Sequence, residues 1–154
     1  MPGKQARSTP RTHKPYGFAE QRNPEGRHMH HTREIPREGW GDYLALLSNL
    51  ERDHWVRIET ESTDFGDQPL AGRLPLVEIA LESKGSDQGS VEIIVGRPGG
   101  EVTHRILKPD HIYADESESG ELECLDIEDA DHVKTLIFFE SQRAGDEMGI
   151  GAPS

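Results

Sequence analysis

Near His54 the spacing of apolar residues changes period, and that change constrains the fold more than any other feature of the chain. Before it, Trp40, Tyr43, Leu44, Leu47 and Leu50 recur every three to four residues, as one face of a helix does. After it, His54, Val56, Ile58 and Thr60 alternate with Trp55, Arg57 and Glu59, the two-residue period of a strand. Pro36 suits a first helical turn, where its missing N–H removes no bond. The spacing therefore predicts a helix over about 36–52. Gly39 and Gly41 weaken its first turn, so it needs tertiary support.

Strand-like alternation returns at 77–82, 91–95, 102–107, 122–127 and 133–140, the last being the most apolar stretch of the chain. Gly66, Pro69 and Gly72 mark a loop before the second strand, and Gly96-Arg97-Pro98-Gly99-Gly100 marks a hairpin turn. Residues 109–120 read as a connection. Parallel neighbours need long crossovers, and these links are short, so six strands in an antiparallel meander are expected. The expected class is α+β. An N-terminal amphipathic helix packs on a curved antiparallel meander sheet, or a partial barrel, of about six strands.

The net charge of -12 is unevenly placed. Residues 1–33 carry seven Lys/Arg against Glu20 and Glu25, a net of +5, which leaves -17 for the rest. That first segment holds four prolines and almost no aliphatic residue, so it cannot offset chain entropy by burial. The expected organisation is a disordered basic tail at 1–33, an α+β domain at 34–141 and a flexible C-terminal tail at 142–154. Met29, just before the ordered pattern, is an alternative start. No apolar run approaches the roughly 20 residues a bilayer span needs, and no apolar stretch follows the basic N-terminus as in a secretory signal. The lone Cys124 excludes an intramolecular disulfide, and a cytoplasmic location without membrane contact is expected. The acid excess is also the composition of a protein that works in high salt.

Four segments carry a family resemblance: Arg33-Glu34-Ile35-Pro36-Arg37-Glu38-Gly39-Trp40, His54-Trp55-Val56-Arg57-Ile58, His104-Arg105-Ile106-Leu107-Lys108-Pro109 and Thr135-Leu136-Ile137-Phe138-Phe139. Together, over roughly residues 33–140, they resemble a bacterial family catalogued as domain-of-unknown-function family 5335. The resemblance implies a small β-rich domain and no established activity. It supplies no catalytic or binding residues.

The side chains capable of chemistry each have a plainer reading beside the functional one. His28, His30 and His31 could bind a transition metal, but no acid or cysteine is spaced to close the site, so no metal is expected. His104 and His111 flank Lys108-Pro109-Asp110, and a histidine beside a carboxylate can act as an oriented base. No catalytic signature accompanies them, and a structural role is favoured. Cys124 lies among Glu121, Glu123 and Asp126, which oppose thiolate formation, so it is read as core. The stretch from Asp115 to Asp131 holds nine acids without a Lys or Arg. It lacks calcium-loop spacing and reads as a solvated acidic face. The glycines at 96, 99 and 100 feed a strand rather than a helix N-terminus, which argues against a phosphate cradle.

These readings converge on a non-enzymatic accessory or interaction module with no catalytic residues and no cofactor. It would bind a protein partner or a small ligand through an exposed face or edge of the sheet. Trp55, His104 and His111 are the candidate binding residues, with Trp55 on the strand face opposite Val56 and Ile58. The alternative is nucleic-acid contact through the basic tail, with Lys4, Arg7, Arg11 and Lys14 neutralising phosphates.

Overall fold

The computed structural model describes residues 31–145. Strand β1 (His31–Glu34) comes first. A single 3₁₀ turn (Arg37–Gly39) then leads directly into helix α1 (Trp40–Glu51). Seven strands follow: β2 (His54–Ser62), β3 (Gly66–Leu81), β4 (Val91–Val95), β5 (Val102–Ile106), β6 (Pro109–Glu116), β7 (Leu122–Asp129) and β8 (Lys134–Arg143). All neighbouring pairs are antiparallel, in the order β1-β6-β7-β8-β2-β3-β4-β5.

This overturns the expected α+β arrangement of a helix on a six-stranded meander. Among the described residues eight strands are present, a strand precedes the helix, and the sheet joins two meanders, β2 to β5 and β6 to β8, through the pairing of β8 with β2. Three local causes explain the difference. β1 has no apolar alternation and is a strand only because it pairs with the edge of β6. β6 falls where residues 109–120 read as a connection; Pro109 opens it, and proline is tolerated at the first residue of a strand. Gly66, Pro69 and Gly72 lie inside β3, whose residues 66–75 pair with β2 on one side and with no strand on the other. An open edge accepts proline and glycine.

β3 organises the molecule. Its first part pairs with β2 and its second with β4, with a register shift between Leu76 and Glu78. The shift brings Leu76 and Ile79, three residues apart, both to full burial and leaves Val77 half-buried. Where β2 stops, the helical segment takes over this edge. The Asp53 amide donates to the Leu76 carbonyl at 2.8 Å, and the Ser48 side chain bonds the backbone of Ile79. The helix thus covers a strand edge that would otherwise present bare backbone groups.

Only Leu107 and Lys108 link β5, at one edge of the sheet, to β6, beside the other edge. Three residue steps span at most about 11 Å, so the sheet must curl on itself. Inside the curl, Ile58, Ile79, Ile93, Ile112, Ile127 and Ile137, each from a different strand and none above 1% exposed, meet Trp40, Leu44 and Leu47 of α1. Each such burial contributes about 1.5–3 kcal/mol. The Trp40 indole N–H donates to the Ile35 carbonyl at 3.0 Å, tying α1 to the chain leaving β1. The β4–β5 turn forms at the expected glycines, and Gly96 has φ +125°, where a Cβ would lie 2.7 Å from the Gly100 carbonyl oxygen.

His31–Arg33, counted with the tail in the sequence, belong to β1, and Gln142 and Arg143 belong to β8. The remainder of 1–33, including Lys4, Arg7, Arg11 and Lys14, and of 142–154 beyond 145, lies outside the described residues. No described helix is long and apolar enough to cross a membrane.

Candidate functional site

Helix α1 has apolar residues on more than its seated face. Trp40, Leu44 and Leu47 are buried, while Leu46 and Leu50 remain 56% and 57% exposed. They border an open groove of about 550 Å³ between α1 and the β7–β8 pair. Tyr43, Leu46, Leu50, Leu122 and Phe139 supply its apolar surface, and Glu51, Glu116, Glu121 and Glu123 line it with Glu140, whose carboxylate is bound by Arg73 at 2.9 Å. Among the described residues the one lysine or arginine in the lining is Arg33, which binds Glu116 at 3.1 Å and stands 5.6 Å from the centre of the Tyr43 ring. Burial pushes the Tyr43 phenol up to about 12.

At one end of the groove His54 joins three elements. Its Nδ1 lies 2.9 Å from the Glu140 carbonyl and 3.1 Å from the Glu51 carboxylate, and its Nε2 accepts from Arg143 Nε at 3.2 Å. Glu51 is held above the usual carboxylate range, chiefly by burial, against the opposing pull of His54 and Arg143.

The three residues singled out from the sequence do not meet. Trp55 lies on the sheet face away from the apolar core, yet it is only 6% exposed. Arg73 and Arg97 cover it, at 4.3 and 5.3 Å from the ring centre, and its indole N–H has no hydrogen-bond partner. His104 stands opposite Ile93 on β4 and lines a second cavity, of about 440 Å³, with Lys108, Asp129 and Asp131. Burial holds its imidazolium below the ordinary range. His111, on β6, places Nδ1 2.8 Å from a Glu34 oxygen and stacks on Tyr113 at 5.8 Å. The bond to Glu34 raises its pKa, and burial opposes the rise.

The face of β6, β7 and β8 turned away from the core is the feature sequence reasoning missed. Residues directly opposite one another share a face, and the register sets Tyr113, Asp126 and Leu136 in one row. Asp115, Cys124 and Phe138 form the row on one side, and His111, Glu128 and Lys134 the row on the other. Asp126 is 1% exposed, and among the described residues neither of its carboxylate oxygens has a hydrogen-bond partner. Burial first, then Glu128, pushes its pKa up to about 7, with Lys134 pulling the other way. Asp115 is 8% exposed and accepts from the Thr32 hydroxyl at 3.0 Å. The acidic stretch is therefore not uniformly solvated. Cys124 is buried as expected but lies on this polar face, outside the apolar cluster, and burial and Asp126 push its thiol well above the ordinary range. The alternation of Leu125 and Ile127 with Cys124, Asp126 and Glu128 revealed which residues share a face, but not that two acids there would be covered.

Among the described residues no group of three or more His, Cys, Asp or Glu is placed to hold a metal ion. Nor does any hydrogen bond among them join a serine, threonine or cysteine to a histidine, the geometry a general base needs to activate a nucleophile.

No curated protein and no solved structure matches the chain. A family model does: it is described as a family of unknown function, DUF5335, and it matches residues 31–148, starting at the first residue of β1. The match spans most of the chain and all eight strands, and the protein belongs to that family.

Proposed function

We propose that the protein is a cytoplasmic, non-enzymatic interaction module that docks a protein partner in the groove between α1 and the β7–β8 pair. The observation that carries this reading is the exposure of Leu46 and Leu50, four residues apart on one stripe of α1 and both lining the groove. Isolated surface leucines are ordinary. Two on one helical stripe beside an open cavity, flanked by Tyr43 and Phe139, make a continuous apolar surface of the kind that anchors interfaces. The lone cysteine and the lack of an apolar span support a cytoplasmic setting.

A photo-cross-linking amino acid at position 50 of the full chain, expressed in its native cells, tests the reading. One discrete cross-linked protein, lost on Leu46→Asp, is the expected result. Equal labelling of many proteins, unaffected by Leu46→Asp, would refute docking at this groove.

A second reading, nucleic-acid contact through Lys4, Arg7, Arg11 and Lys14, is supported by the +5 charge of residues 1–33. It requires retention on nucleic acid that falls steeply with salt and disappears when those four residues become glutamine.

A further inference from the structure

Resting on the docking reading above, we infer that the partner enters the groove as a basic amphipathic segment, with aliphatic side chains on the Tyr43–Leu46–Leu50 surface and Lys or Arg heads on the carboxylates around it. Glu51, Glu116, Glu121, Glu123 and Glu140 line the groove; Arg33 binds Glu116 and Arg73 binds Glu140, and among the described residues Arg33 is the only Lys or Arg in the lining. Glu121 has no ion pair among the described residues. Glu51 lies beside the apolar surface and is half-buried, so an incoming cation would relieve the cost of its ionisation.

Charge decides between partner classes more sharply than apolar area does. Burying two half-exposed leucines favours any apolar partner by similar amounts. The lining stays acidic after those two pairs are counted, and it opposes an acidic peptide, a nucleic acid or an anionic membrane, because like charges brought together at an interface repel. A Lys or Arg side chain suits the place. Its aliphatic stem can lie over Leu46, Leu50 and Phe139 while its head reaches a carboxylate.

The test uses the full chain and two labelled synthetic amphipathic peptides with the same leucine pattern, one with lysine and one with glutamate at every polar position. Fluorescence anisotropy should show the lysine peptide binding at least about tenfold tighter than the glutamate peptide, and weakening as salt rises from about 50 to about 500 mM. Glu121→Lys should weaken it about fivefold. Leu50→Asp is the decisive variant. It makes the protein more acidic, so simple charge attraction would strengthen binding, whereas seating in the groove predicts a loss of about tenfold or more.

Binding that survives Leu50→Asp would overturn the inference, as would equal affinity for both peptides. If neither peptide binds but position 50 still cross-links one discrete protein, the basic-segment inference falls and the docking reading stands. If neither peptide binds and no discrete cross-link forms, both fall. An intramolecular cross-link from position 50 to residues 1–30 would put this chain's own basic segment in the groove and overturn a partner as its occupant.

Discussion

The hydroxyl of Ser48 on α1 accepts a hydrogen bond from the amide of Ile79 and donates one to its carbonyl, both at 2.8 Å and both buried. These two backbone groups point away from β4, toward the edge of β3 that no strand occupies beyond β2. One side chain thus replaces two ladder bonds and fixes the helix against the strand. Ser48→Ala leaves both groups buried and unpaired, at about 1–3 kcal/mol each. A loss of about 2–6 kcal/mol is expected in urea unfolding followed by circular dichroism. A loss below about 1 kcal/mol would show that water reaches this edge.

Asp126 makes the fold sensitive to pH in an unusual sense. Its folded pKa of about 7 lies above its ordinary 3.8, so between those values the folded state holds a proton that the unfolded state has released. Stability therefore falls as pH rises from about 4 to about 7, by up to about 4 kcal/mol from this group. Asp126→Asn removes the charge without changing the shape. It should be more stable than the parent at pH 7.5 and close to it at pH 4, and the difference in urea midpoints at the two pH values measures the effect. Equal differences at both would show that Asp126 stays ionised at low cost.

The His111–Glu34 pair works in the opposite sense. Its bond to Glu34 raises the His111 pKa, so whatever stability the pair contributes is complete below the ordinary histidine value and is lost as pH rises through the folded one. Both side chains are substantially exposed, at 43% and 50%, so solvent keeps that contribution small and the titration is the better readout. In NMR, Glu34→Gln should lower the pKa of His111, and Asp110→Asn should lower it less. No movement with Glu34→Gln would mean the 2.8 Å contact does not persist in solution.

Cys124 is buried, and the neighbouring Asp126 and Asp115 disfavour its thiolate. Iodoacetamide should modify it in the native protein at least about a hundredfold more slowly than in urea. The native rate should follow global unfolding. Fast native modification would show that the outer face of β7 opens independently of the core.

Much of the local structure could be read along the chain. The helical stripe from Trp40 to Leu47, the alternation after His54 and the Gly96 hairpin all follow from short-range sterics and from burying one face, which neighbouring residues reveal. The two missed strands had no such local signal. β1 is held only by its pairing with β6, 79 to 85 positions away, and β6 turns a polar face outward and opens with Pro109. The groove was half legible. Leu50 was assigned to the seated face of the helix, because spacing marks an apolar stripe without saying how much of it a neighbouring element covers.

The sequence by itself determined the helical stripe, the alternation of the strands with an apolar face and the turn at Gly96, because those depend on neighbours within a few positions. Only the tertiary structure decided that β8 closes on β2, that Ser48 serves the free edge of β3, that Leu46 and Leu50 stay bare and that Asp126 is covered. Each of these turns on which of several compatible surfaces come together. That choice is made by the total burial of the folded chain, and no local stretch of residues encodes it.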